Sequence, residues 1–390
     1  MSVVLLFHTS FQNRGDALMV EAVLQRLGPS HDWSVAADVA FYARREARGL
    51  RTSPVSMLPG VTAKQRAFNR IVSLADKSMQ FLPSFARRGL SVVPVRDIDV
   101  ALDLSGYSFG DPWGEERVRR ATRVYRQLRD SGSKVVLMPR TWGPFERFNG
   151  GALDALFAHV DLAFARDNRS LASVHQLLGP RHRAKISFAP DYTHAVKPDL
   201  ERWPVAPGLA MLVPSSRVID SGTMSLQAYI DLFAASRAQL AEAGLRPRLM
   251  IHETSNDLRF IDHAAAMGFA QDEVLVPENA IAAKSMIAQA SAVITSRLHA
   301  LYSALNSAVP VAVVAWNFKY AEALAQYGCA DCLVDPRDHS GSLRLTLARI
   351  TSEPGKSALQ RAMRQGKARA EKQTEKMWGK IREATGLDLG

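Results

Sequence analysis

Residues 290–320, ASAVITSRLHALYSALNSAVPVAVVAWNFKY, restrict the folds open to this chain more than any other stretch. Residues 292–295 are apolar, partly β-branched and too few for a helix, as in a buried parallel strand. From Leu298 the apolar side chains recur at Leu301, Tyr302 and Leu305, which is helical spacing. Residues 306–310 break that helix, and residues 311–315 make a second buried-strand run. Strand, helix and strand in that order demand a crossover between parallel strands.

The same rhythm runs through the rest of the chain. Before residue 200, strand-like runs at 2–8, 34–41, 100–104, 134–138 and 160–165 alternate with helical spacing at 115–131 and 168–178. After it, strand-like runs at 209–213 and 248–252 alternate with helices at 226–243 and 281–290. Such alternation predicts doubly wound parallel sheets. Pro198, Pro204 and Pro207 crowd one short stretch, as in a connector. The expected division is therefore 1–200, 201–350 and a basic helical tail over 351–390, and 390 residues suffice for two cores.

In open parallel sheets, ligands gather at the carboxyl ends of the strands, where helix N-termini offer unpaired N–H groups and partial positive charge. Ser296, Arg297, Leu298 and His299 fall at such a junction. Arg presents a planar fork to carboxylate or phosphate, and His moves protons near neutral pH. The junction thus suits a small, doubly anionic, reactive molecule. Ser216 and Arg217 follow the run at 209–213, His252 closes the run at 248–252, and Arg140 and Trp142 follow the run at 134–138. Trp142 has two readings, a ring stacked on a sugar or a buried structural ring. Asn13, Gly15 and Asp16 form an N-x-G-D turn after the first strand, a pattern that also serves plain capping.

The string SRLHALYSALNSAVPVAVVAWNFKY resembles the C-terminal signature of the polysaccharide pyruvyltransferase family, with its S-R-x-H-A helix start, V-P-V strand and following Lys, here Lys319. N-x-G-D at 13–16, MPRTWGPF at 138–145, ARDNRS at 165–170 and APD at 189–191 are similar to further family segments. The resemblance implies an α/β, GT-B-like fold of two Rossmann-type doubly wound domains with an interdomain cleft. It also implies phosphoenolpyruvate as donor. The acceptor it implies is a sugar of a bacterial surface polysaccharide or its lipid-linked precursor, converted to a pyruvate ketal with release of phosphate.

On that chemistry Arg217 and Arg297 grip the two anionic groups, His299 delivers a proton to the methylene carbon, and amides near Leu298 receive the phosphate. Asp16 or Asp191 would activate the acceptor hydroxyl. Asn13, Gly15, Arg140, Trp142, Ser216, Ser296, His252 and Lys319 complete the expected substrate contacts. Phosphoenolpyruvate is a co-substrate here; the scheme asks for no cofactor and no metal.

A formal charge of +11 and a pI near 9.8 predict anionic partners. Nucleic acid, an acidic substrate and an anionic membrane are the candidates; no nucleic-acid module reads in the sequence, and the membrane surface is preferred. Residues 61–90 mix Lys64, Arg70, Lys77 and Arg88 with Phe68, Ile71, Leu74, Phe81 and Phe85. Such a basic amphipathic segment either lies on an anionic membrane or packs on its own domain. The tail from 352 is basic and poor in large apolar residues, as a solvated linker helix would be.

No apolar run approaches the roughly 20 residues that cross a bilayer, and the N-terminus lacks signal-peptide features. The expectation is a cytoplasmic protein, with peripheral contact at the inner face of the membrane as an option. Cys329 and Cys332 are the only cysteines, spaced C-x-x-C without a second ligand pair, and read as small buried residues. Two rival readings stand beside the first: a GT-B glycosyltransferase using a nucleotide sugar, and a non-catalytic member of a polysaccharide assembly complex. The oligomeric state is not written in the sequence.

Overall fold

The computed structural model describes residues 2–9, 13–36, 50–55, 63–79, 81–148, 150–336 and 339–390. The chain forms two compact units, one of Met1–Phe11, Met19–Tyr192 and Gln373–Gly390, the other of Gln12–Leu18 and Thr193–Lys372.

The first unit holds strands β1 (Val3–Phe7), β2 (Asp32–Ala36), β3 (Arg51–Ser53), β4 (Val100–Asp103), β5 (Tyr107–Phe109), β6 (Lys134–Trp142), β7 (Leu162–Ala165) and β8 (Ile186–Phe188). Their order is β3-β2-β1-β4-β6-β7-β8, with β5 paired to β6 and every pairing parallel. Helices α1 (Arg14–Leu27), α2 (Ala63–Met79), α3 (Ser84–Gly89), α4 (Gly114–Asp130), α5 (Gly150–Phe157) and α6 (Asn168–Leu177) fall between these strands in the chain. The first turn of α1 counts with the second unit. Short strands with every residue buried, such as Val311–Val314 of the second unit, read as continuous apolar runs because helices cover both faces of such sheets.

The second unit holds β9 (Leu209–Val213), β10 (Arg246–Met250), β11 (Val274–Leu275), β12 (Ala292–Thr295), β13 (Val311–Val314) and β14 (Leu333–Val334). Among them lie α7 (Leu226–Glu242), α8 (Ala280–Ala288), α9 (Leu298–Asn306), α10 (Lys319–Gln326) and α11 (His339–Thr351), before the long α12 (Gly355–Thr385). The order β11-β10-β9-β12-β13-β14 is 3-2-1-4-5-6 counted along this sheet, the Rossmann arrangement. Each sheet has one point where the order reverses, between β1 and β4 in the first and between β9 and β12 in the second.

Four expectations shift. The strand expected at 34–41 is Asp32–Ala36, and residues 37–41 lie outside the described residues. The strand expected to stop at residue 138 continues to Trp142, pairing with β5 and β7; Pro139, which has no N–H to donate, coincides with a register shift between Leu137 and Arg140. The division falls after Tyr192 rather than at residue 200, since Lys284 on α8 already donates to the Thr193 carbonyl at 2.5 Å. Finally, α12 is no merely solvated helix. Leu359, Met363, Met377, Trp378 and Ile381 are buried along it, and one stretch up to Lys372 counts with the second unit while the rest counts with the first. The spacing of those few apolar residues, rather than their number, sets the stripe.

Candidate active site

In the second unit the strands β9, β10, β12 and β13 end side by side, and the residues just beyond them differ sharply in how well they are satisfied. Thr295 closes β12 by donating its hydroxyl to the Val213 carbonyl at 3.2 Å, fixing the ends of β12 and β9 together at the switch point. Ser296 follows with both polar groups used: its Oγ accepts from the Tyr229 hydroxyl at 2.9 Å and its carbonyl from the Tyr320 hydroxyl at 2.6 Å. Arg297 is the N-cap residue of α9 in extended conformation, so Leu298 and His299 occupy the first turn.

The Arg297 guanidinium is held by carboxylates. Its Nε donates to Asp257 Oδ2 at 2.6 Å, a second nitrogen reaches Asp257 Oδ1, and a third pairs with Glu253. Asp257 also accepts from the Ser216 amide at 2.9 Å. Arg297 therefore ties the loops after β9, β10 and β12 into one piece. Burial raises the Asp257 pKa in spite of the guanidinium. For Glu253 burial pulls the same way but the Arg297 charge prevails, leaving it below the usual range.

Around this ion cluster lie polar atoms without partners. His252 is 2% exposed, and among the described residues neither ring nitrogen has a hydrogen-bond partner. Burial holds it well below the usual imidazole range, and the charges of Arg297, Arg14 and His299 push the same way. The buried Ser216 Oγ is likewise without a partner. Groups of this kind cost free energy unless a water or a polar ligand occupies them, which makes the location a candidate site.

His299 is half-buried, and its position depends on Gly15. A Cβ at residue 15 would lie 1.9 Å from His299 Nδ1, so any side chain there has to displace the His299 ring. Asn13 sets the segment: its side-chain oxygen accepts from the Gly15 amide at 3.0 Å, its carbonyl from the Ala17 amide, and residue 13 bridges to Glu253. Arg14, buried, donates to the Pro277 carbonyl. Asp16 is half-buried on the same turn. Arg217 is exposed at the first position of the single turn Arg217–Asp220, and Lys319 stands 4.2 Å over the Trp316 ring at the start of α10. One end of one parallel sheet thus gathers Asn13, Gly15, Asp16, Ser216, Arg217, His252, Ser296, Arg297, Leu298, His299 and Lys319.

A profile for polysaccharide pyruvyl transferase matches residues 13–317. The chain belongs to the polysaccharide pyruvyl transferase family. No curated protein matches it. Among solved structures, a UDP-N-acetylglucosamine 2-epimerase from Listeria monocytogenes, itself described as putative, is similar at 13% identity and a TM-score of 0.57, over 92% of this chain and 91% of that one. S. aureus MnaA with UDP gives 11% and 0.55 over 94% and 91%, and Anabaena HepE with UDP-glucose gives 10% and 0.55 over 96% and 95%. At these identities the likeness concerns the fold, which is GT-B-like with two Rossmann-type units.

Three residues expected to contact substrate in this pyruvyl transferase family member, Arg140, Trp142 and Asp191, belong to the first unit. Trp142 is fully buried, its indole N–H donates to the Phe164 carbonyl at 3.1 Å, and it stacks near Phe109 and Phe157. Its ring is a core ring with no face for a sugar. Arg140 has no exposed surface either; it donates to Ser105 Oγ at 2.6 Å and to the Asp103 carbonyl at 2.7 Å, and pairs with Asp103 Oδ1 at 2.7 Å. Both were expected at a strand end, and the longer β6 draws them into the sheet. Asp191 is buried, with its Oδ2 3.6 Å from the Arg166 guanidinium.

The first switch point contains a cluster that motif reading passed over. His8, just beyond β1, donates from Nδ1 to Asp103 Oδ2 at 3.1 Å and accepts at Nε2 from Arg117 at 2.8 Å. Tyr125 also donates to Asp103. Burial opposes ionisation of Asp103, but Arg140 and His8 outweigh it and hold the pKa far below the usual range. A His directly after the first apolar run was the only signal. Arg14 was equally open to notice, as the variable position of N-x-G-D, whereas Asp257 belongs to no pattern and is recognisable only through its partners.

Cys329 and Cys332 are free and buried. Among the described residues no group of three or more His, Cys, Asp or Glu is placed to hold a metal ion, and no helix is long and apolar enough to cross a membrane.

Proposed function

We propose that this pyruvyl transferase takes the enolpyruvyl group from phosphoenolpyruvate and builds a pyruvate ketal on a sugar of a surface polysaccharide or its lipid-linked precursor. The observation that carries the reading is His299, on the first turn of α9, seated against Gly15 beside the unpartnered His252. The reaction needs a proton donor next to an anion-binding surface, and family membership supplies the reaction class.

Protonation of the methylene carbon turns C3 into a methyl group and makes C2 electrophilic. One acceptor hydroxyl adds to C2, the C2–O bond to phosphorus breaks, and a second hydroxyl closes the ketal. Of the two hydroxyl protons, one replaces the proton spent on C3 and the other leaves with phosphate. His299 delivers the proton to C3. Arg217, exposed and on its own turn, and the amides of the α9 first turn attract the donor's anionic groups. Ser216 Oγ and the His252 ring offer it neutral hydrogen bonds.

Arg297 has a different part from the one its sequence context suggested. With Glu253 and Asp257 already on its nitrogens, it organises the strand-end loops and keeps the α9 N-terminus in place. Lys319 and Asn13 complete the wall, and Asp16 is our candidate for the base that activates the acceptor. A nucleotide-sugar glycosyltransferase would use the same fold, and solved neighbours hold UDP, but the family match ranks it second.

The test is phosphate release from phosphoenolpyruvate with a panel of lipid-linked or synthetic glycosides. His299→Ala is expected to abolish release while the melting temperature stays at the wild-type value. Wild-type turnover in His299→Ala sinks the assignment of the proton donor. A thermal shift with UDP-sugars and none with phosphoenolpyruvate would transfer the reading to the glycosyltransferase.

A further inference from the structure

We infer that the outward face of α2 and α3 in the first unit is a docking surface for an anionic lipid bilayer. The inference stands independently of the proposed reaction. Ile71, Leu74, Phe81, Phe85 and Leu90 are 64, 63, 87, 76 and 63% exposed. So many large apolar side chains exposed within one short stretch mark an interaction surface rather than an ordinary solvent face.

The segment is not loosely attached. Val72 is buried, Asp76 accepts from the Val95 amide at 2.9 Å, and Arg87 pairs with Asp97 at 2.5 Å. The helix therefore packs on its own unit through one side and turns a second apolar stripe outward. At about 100° per residue, Ile71 and Leu74 share an arc bordered by Lys64 on one side and by Arg70 and Lys77 on the other. All three cations are exposed, as is Arg88 on α3. Apolar residues flanked by cations are the arrangement of a helix lying in a membrane interface, where burial and attraction to anionic lipid add together.

Charge selects the occupant. Within residues 63–90 the only acid is Asp76, and its side chain is taken up by Val95. A second copy docking through the same face would set cations against cations. An anionic bilayer meets both features at once. A cavity of about 240 Å³ lies at the start of α3, where Arg51 and Arg87 are paired with Asp32 and Asp97 while Arg88 adds a further cation to the lining.

The experiment floats the full-length protein with phosphatidylcholine vesicles and with vesicles that also contain phosphatidylglycerol, without donor or acceptor. The protein is expected to float with the anionic vesicles alone, less so at high salt. Ile71→Ser with Leu74→Ser and Phe85→Ser, and separately Lys77→Glu with Arg88→Glu, should each weaken binding roughly tenfold or more, with unchanged melting temperature and unchanged turnover on a soluble acceptor. Absence of flotation, or equal flotation of wild type and both variants, overturns the inference. So does a dimer that the triple serine variant converts to monomer without any vesicle binding, which would make this face a protein interface.

Discussion

The two switch points occupy the same place in two similar sheets and have opposite character. At the first, Asp103 gathers Arg140, His8 and Tyr125, and the pairs among them are made inside the protein. At the second, Arg297 is neutralised by Glu253 and Asp257, but His252 and the Ser216 hydroxyl are buried without partners among the described residues. Topology places a ligand at either location. On the proposed reading, the satisfied cluster holds a fold together and the unsatisfied one serves a substrate.

The largest expected effect tests the first half of that contrast. Arg140→Ala leaves Asp103 ionised at a site with no solvent, which should cost about 3–5 kcal/mol in urea unfolding. A comparably large loss in His299→Ala would erase the distinction between a structural and a functional cluster.

Next comes Gly15→Ala. The added carbon has to displace the His299 ring from 1.9 Å, and a misplaced proton donor should slow phosphate release about 100-fold, close to 2.7 kcal/mol in the barrier. Unaltered turnover would mean that His299 is not needed in this pose.

The two clusters should also respond to acid in different windows. His252 is held neutral when folded, with its pKa depressed, so its contribution is present above about 6.5 and is lost as pH falls below that value. Melting temperatures should therefore decline from pH 7 towards 5, and His252→Phe should flatten that decline. Asp103 is depressed from about 3.9, so its contribution is lost only as pH falls below 4. Identical slopes for wild type and His252→Phe would remove the histidine from the account.

The smallest effect sharpens the second half. Ser216→Ala deletes a hydroxyl that has no partner, so stability should change by about 0.5 kcal/mol or less. Affinity for phosphoenolpyruvate, read by thermal shift, should fall about threefold to tenfold if that hydroxyl serves the donor.

Much of this was legible in local pattern. The strand-helix-strand unit from Ala292 to Val314 and the Rossmann alternation follow from short continuous apolar runs alternating with a 3.6-residue period, which neighbouring residues alone establish. The position of Arg297 and His299 beyond β12 follows from the same arithmetic. Trp142 and Arg140 misled because a local reading ends β6 at Pro139, whereas pairing with β5 and β7 carries the strand past it. The tail misled because sparse apolar residues bury a helix as soon as their spacing meets a surface to cover.

The sequence by itself determined the two-sheet α/β plan, the strand ends and the reactive residue types, because hydrophobic period and helix-start chemistry act over a few positions. Only the tertiary structure decided which of those residues are spent. Whether an arginine is free or clasped by Glu253 and Asp257, and whether a histidine has a partner or a glycine to lean on, depends on residues tens to hundreds of positions away. Burial then fixes the worth of each such contact.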